Sequence, residues 1–107
     1  MTKVTIYKNV KNECVGFKAF GHAGYAEEGE DIVCAGISVL TINTINSIEA
    51  LTDAVFSVES DENDGSMNFK IQKSTKESAL LLEAMILGLE MMADNYSEYI
   101  DLKFREV

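Results

Sequence analysis

The stretch GHAGYAEEGEDIVCAG, residues 21–36, marks the point where the chain changes its hydrophobic period. Before it, Val4 to Val10 and Cys14 to Phe20 are β-like runs on either side of the polar turn Lys11-Asn12-Glu13, and they read as an opening hairpin. After it, from Asp31 to about Asp53, Ile32, Val33, Ile37, Leu40, Ile48 and Leu51 are spread as on a largely buried helix. The same stretch holds the only histidine, His22, and one of the two cysteines, Cys34. The join between strand and helix therefore carries both the fold class and the reactive chemistry.

The remaining elements follow from the same reading. Ala54 to Ser60 and Met67 to Lys73 read as two strands around Asp61-Glu62-Asn63-Asp64-Gly65, whose acidic residues and glycine suit a hairpin loop. Ser74 and Glu77 have the spacing of a capping box before Ala79-Leu80-Leu81-Leu82, so a second helix is expected to run to about Tyr96. A short strand from Tyr99 to Phe104 completes the order ββαββαβ. The fold class is α+β, a single small domain over residues 1–107 in which one sheet packs against two helices. No proline, low-complexity linker or internal repeat interrupts it.

Composition bounds the function. A chain of 107 residues has room for one core and one site. Its apolar residues, 47% of the total, fall in short blocks separated by polar turns, so no membrane span is expected. The first ten residues, MTKVTIYKNV, alternate like a strand and lack the apolar centre of a signal peptide, which points to the cytoplasm and to reduced thiols. Nine basic residues against eighteen acidic ones give a net charge of −9, which opposes direct nucleic-acid binding and favours basic polypeptides.

The chemistry centres on Cys34 and His22. A free thiol of pKa about 8.5 is only a few per cent ionised near neutrality, so a nucleophilic cysteine needs help from its surroundings. With Asp31 as N-cap, Cys34 would stand at the third helical position, where the helix dipole contributes about 0.3–2 kcal/mol. That is roughly one pKa unit, and an imidazolium could supply the rest. His22 is the only imidazole available. Gly21, Gly24 and Gly29 would make the intervening segment a mobile loop over the substrate. A cysteine in an apolar helix is, however, more often inert core, and a lone histidine beside glycines is usually a loop residue. Cys14, mid-strand and away from any helix terminus, reads as structural. Neither a metal nor a cofactor is expected, because His22, Glu27, Glu28 and Cys34 lack the spacing of a zinc motif.

Gly21-His22-Ala23 followed by Asp31-Ile32-Val33-Cys34-Ala35-Gly36-Ile37-Ser38 resembles the signature of the ribosomal-processing cysteine protease family Prp, also described as YsxB-like. The resemblance extends over essentially the whole chain. It implies a small bacterial endopeptidase that removes the short N-terminal extension of large-subunit ribosomal protein twenty-seven. It places the catalytic cysteine on Cys34 and the catalytic histidine on His22, with Asp31 and Ser38 in supporting positions. It also implies a homodimer. On the second helix, Leu81, Leu82, Met85, Leu89, Met92 and Tyr96 form one apolar stripe, while Leu80, Ala84, Leu87 and Met91 form another that a monomer could leave wet. The competing class of function is a non-catalytic acidic adaptor that binds a basic ribosomal protein; a thiol-redox role ranks last because there is no Cys-x-x-Cys.

Overall fold

The computed structural model describes residues 1–20, 28–61, 63 and 65–107, with the side chains of the first helix described from Ile32 onward. The chain order is β1 (Thr2–Lys8), β2 (Cys14–Phe20), α1 (Glu28–Leu51), β3 (Val55–Asp61), β4 (Ser66–Lys73), α2 (Lys76–Asn95) and β5 (Ile100–Glu106). This is the expected ββαββαβ succession. The five strands form one mixed sheet in the order β3-β4-β2-β1-β5, antiparallel throughout except where β5 runs parallel to β1.

The opening hairpin is tied by Asn9. Its side-chain oxygen accepts from the amides of Lys11 and Glu13 at 2.9 and 3.0 Å, and Asn12 takes a positive φ of 63°. The turn therefore begins at Asn9, so β1 stops at Lys8 and Val10 is exposed rather than paired. In the second hairpin, Gly65 supplies the positive φ of 70° and donates its amide to Asp61 at 2.9 Å.

Alternation sorts the sheet into two faces. Val4, Ile6, Phe17, Ala19 and Phe69 point toward the helices and are buried, while their neighbours in sequence point to solvent. Phe17 stacks on Phe69 with ring centroids 5.1 Å apart, and Phe56 leans on the same ring at 5.3 Å. Each such pair adds about 0.5–1.5 kcal/mol beyond its area burial. Val33, Ile37, Ile45 and Ile48 of α1 and Leu82, Met85, Ile86 and Leu89 of α2 close the core from one side.

The two helices pack closely because glycines face bulk. A Cβ on Gly36 would lie 2.9 Å from Met92, and one on Gly88 would lie 2.8 Å from Leu40. Two expectations need correction here. First, α1 is not buried all round: Ile32, Val39 and Leu51 are exposed. A helix lying on a sheet beside a single neighbour has only part of its circumference covered. The segment Ile32–Leu51 is nonetheless long and apolar enough, by length and composition, to cross a bilayer, contrary to the reading of short apolar blocks; in this fold it is the core helix, seated on the sheet. Second, the capping box on α2 belongs to Thr75 and Ser78, not to Ser74 and Glu77. Thr75 Oγ1 accepts from the Ser78 amide at 3.1 Å and Ser78 Oγ accepts from the Thr75 amide at 2.9 Å. A serine hydroxyl at the third position reaches back as a glutamate would, so the motif shifts by one residue.

Candidate active site

Cys34 projects from α1 onto a small cavity of about 60 Å³ where the helix crosses one end of the sheet. Ser38 and Thr41 follow it at i+4 and i+7 on the same helical stripe, and the strands contribute Thr2, Ala19 and Met67. Cys34 is half-buried and unbridged. The position gives a thiol held by the core on one side and open to a substrate on the other. Cys14, by contrast, is buried, and burial pushes its thiol pKa up. A nucleophile needs the opposite.

The local cause of this placement is register. Ala19 lies opposite Val4 on β1 and Met67 on β4, so the last inward-facing residue of β2 stands beneath the N-terminal half of α1. A small residue there leaves the space that Cys34 and Ser38 share. Thr41 Oγ1 donates to the Ile37 carbonyl at 2.8 Å and lies within 3.3 Å of the Ser38 carbonyl, so its hydrogen is taken up within the helix. Thr2 Oγ1 is buried beside the cavity with no hydrogen-bond partner, a state that costs about 1–3 kcal/mol. Among the described lining residues there is no basic side chain.

The expected site residues fare differently. Cys34 and Ser38 are brought together. His22, Gly21 and Gly24 lie outside the described residues, as does the side chain of Asp31. Gly29, expected in the loop, belongs to the first turn of α1, which begins at Glu28. Asp31 is thereby the fourth helical residue and cannot be the N-cap. An acidic run that reads as a solvated loop is equally suited to the positive end of a helix, and here it extends the helix by a turn. Cys34 is correspondingly the seventh helical residue, not the third. Its amide is directed by the helical pattern to the carbonyl four residues back, and the dipole effect has faded beyond the first turn. Neither the dipole activation of the thiol nor an oxyanion contact from the Cys34 amide survives this shift.

Sequence reading missed Thr2, Ala19, Thr41 and Met67 as neighbours of the thiol. Thr41 had a signal, since 34, 38 and 41 repeat at helical spacing; the strand residues had none, because only the sheet order brings them under α1. Among the described residues no three His, Cys, Asp or Glu side chains converge as a metal site would require.

Comparison with known proteins bears on this site. The family model of cysteine protease Prp matches residues 1–101. A ribosomal processing cysteine protease Prp of Staphylococcus aureus is 30% identical over 106 residues, spanning 98% of this chain and 100% of that protein. Among solved structures, SMU.848 from Streptococcus mutans superposes with a TM-score of 0.90 at 34% identity, covering 100% of this chain and 99% of that one. An essential ribosomal processing protease Prp from S. aureus, in complex with a covalently linked product peptide, gives a TM-score of 0.87 at 30% identity over 98% of this chain and 100% of that one. With the ββαββαβ fold and a half-buried thiol opening onto a cavity, these likenesses establish that the chain belongs to the Prp family of cysteine proteases.

Proposed function

We propose that this protease removes the short N-terminal extension of bacterial large-subunit ribosomal protein twenty-seven in the cytoplasm, with Cys34 as nucleophile and His22 as its base. The observation that carries the reading is the shared cavity of Cys34 and Ala19. His22 follows Ala19 by three positions, and extended backbone covers about 3.3–3.6 Å per residue, so the chain cannot carry the His22 Cα further than roughly 11 Å from the Cα of a residue that lines the thiol's own cavity. No other residue in the sequence can supply an imidazole. The peptide held covalently by the S. aureus relative fits a reaction in which an enzyme nucleophile bonds to the substrate.

In the proposed reaction His22 takes the thiol proton as the Cys34 sulfur bonds to the scissile carbonyl carbon. The C–N bond then breaks as the imidazolium gives that proton to the leaving amine, and a water activated by His22 releases the acyl group from sulfur. With the helix dipole out of reach of Cys34, the imidazolium carries the burden of ionising the thiol. Asp31 and Ser38 are supporting residues in this scheme: Ser38 shares the thiol's cavity, and Asp31 lies one turn before it. The acidic surface, at net −9, would steer the basic body of the substrate.

Mass spectrometry of the extended ribosomal protein after incubation with the enzyme is the direct test. Wild type should yield the shortened form, Cys34→Ala and Cys34→Ser none, and Cys14→Ser most of it. His22→Ala should lower turnover by at least about 100-fold and slow alkylation of Cys34 by iodoacetamide near pH 7. Full function with Cys34→Ala would instead identify an acidic adaptor that binds the ribosomal protein without cutting it. An unchanged alkylation rate would remove His22 from the scheme.

We also propose that the molecule is a homodimer. Leu80, Leu87 and Met91 remain 70%, 69% and 60% exposed on α2, which leaves unburied the stripe that a second copy would cover.

A further inference from the structure

The face of the sheet turned away from the helices does not share the charge of the molecule. Lys3 and Lys18, Lys70, Lys103 and Arg105 all lie on it, by the pairings Lys3↔Phe20, Thr5↔Lys18, Gly16↔Lys70, Thr5↔Lys103 and Tyr7↔Arg105. Five of the chain's nine basic residues are thus gathered on one surface, while among the described strand residues the acidic ones that face the same way are Glu59, Asp61 and Asp101. Glu59 and Asp61 stand together on the edge strand β3, so the four strands from β4 to β5 present cations almost alone.

These cations are not used internally. Lys103 makes a loose pair with Asp101 at 3.6 Å, both partly exposed, which is worth little. Among the described residues Lys3, Lys18, Lys70 and Arg105 have no carboxylate partner. Two aromatic rings lie among them: Phe20, 38% exposed with the Lys18 ammonium 6.0 Å from its centroid, and the half-buried Tyr7, next to Arg105 in register. At the centre Asn68 keeps a carboxamide oxygen that has no hydrogen-bond partner. Shallow hollows of about 500 and 460 Å³ lie on the same face, one beside Tyr7 and Lys70, the other beside Lys3 and Phe20.

We infer that this open sheet face binds single-stranded nucleic acid, with the five cations tracking phosphates and Tyr7 and Phe20 stacking on bases. Charge complementarity fixes the sign of the partner, and the rings narrow its class. An acidic polypeptide would be served by the cations and leave the two rings without a role, whereas every base offers a π-face. Neighbouring strands stand about 4.7–4.9 Å apart, so side chains on adjacent strands can follow successive groups of an extended strand laid across the sheet. The net charge of −9 argues against such binding only when averaged over the surface. The thiol lies on the opposite, helix-covered side of the sheet, which leaves the protease site free.

The test is fluorescence anisotropy of a labelled ten-nucleotide oligouridylate and the matching oligothymidylate titrated with wild-type protein at 50 mM salt. Binding in the range of about 10⁻⁴ to 10⁻⁶ M is expected, with log K falling against log salt at a slope of about −3.5, since five contacts each contribute roughly 0.7 for a single strand. Lys3→Gln/Lys18→Gln/Arg105→Gln should weaken binding about tenfold or more, and Tyr7→Leu/Phe20→Leu about fivefold or more, the loss that one stacked base represents at least. Lys11→Gln/Lys76→Gln, away from this face, should change nothing, and unaltered circular dichroism and peptide cleavage will show that the variants fold. Absence of wild-type binding at 50 mM salt overturns the inference. So does binding that survives the triple substitution, and so does competition by polyglutamate as strong as by unlabelled oligonucleotide, which would make the face an acidic-peptide site.

Discussion

Cys34 and Cys14 show how one side-chain type is given different surroundings by the fold. Cys14 is 8% exposed, and burial disfavours its thiolate. A raised folded-state pKa means that the thiol stabilises the fold fully below the unfolded value of about 9.0 and that this contribution is lost as pH rises through the folded value. Wild-type stability, measured as the urea midpoint, should therefore decline above about pH 9 more steeply than that of Cys14→Val, which has no proton to lose. Parallel curves for the two proteins would show that Cys14 is not buried in the way described. Cys34, half-buried on a cavity, should meanwhile react with iodoacetamide faster than Cys14 in the folded protein.

Single positions also decide whether an element forms. Gly16 on β2 faces the carbonyl of Phe69, and a Cβ there would stand 2.5 Å from that backbone oxygen. Backbone in the middle of a sheet cannot move aside as a side chain can. Gly16→Ala should thus destabilise the protein by about 1–3 kcal/mol, read as a lower midpoint of thermal or urea unfolding, and a neutral result would mean that β2 and β4 are not in the register Gly16↔Lys70. At the start of α2, Thr75→Ala removes the acceptor of the Ser78 amide and should cost about 1 kcal/mol. Ser74→Ala, one residue earlier, should cost far less, because its hydroxyl makes only a 3.4 Å contact with a neighbouring carbonyl.

As a whole the molecule is a two-layer structure with unlike outer surfaces. The helical layer leaves Leu80, Leu87 and Met91 exposed, and the sheet layer carries a concentration of cations. A homodimer formed through the helical layer should scatter light as about twice the 11.8 kDa chain at micromolar concentration. Leu87→Glu or Met91→Glu should shift it toward monomer without lowering the stability of the isolated fold, since neither side chain belongs to the core. A wild type that stays monomeric under those conditions would exclude the helical stripe as a contact between copies.

Element order and the apolar stripe of α2 follow from residues close together in sequence, and so does the proposal of Cys34 as nucleophile. Alternation in Cys14 to Phe20, helical recurrence from Leu81 to Met92 and the motif that carries His22 and Cys34 are all local patterns, and local patterns persist whatever the rest of the chain does. Tyr96 marks the limit even there: the spacing puts it on the same apolar stripe as Leu82 and Leu89, yet it is 44% exposed, because the helix ends at Asn95. The start of α1 could not be read, since an acidic glycine-containing run satisfies a loop and a helix N-terminus equally well, and only three-dimensional packing chooses. That choice moved Cys34 two turns into its helix and removed the dipole from the chemistry. Sheet order is likewise a property of long-range pairing. Placing β1 between β2 and β5 joins Thr2 with Ile100, sets Ala19 beneath Cys34, and gathers lysines 67 positions apart in sequence, Lys3 and Lys70, onto one surface. A composition sums charge over the chain, whereas a partner meets one face at a time.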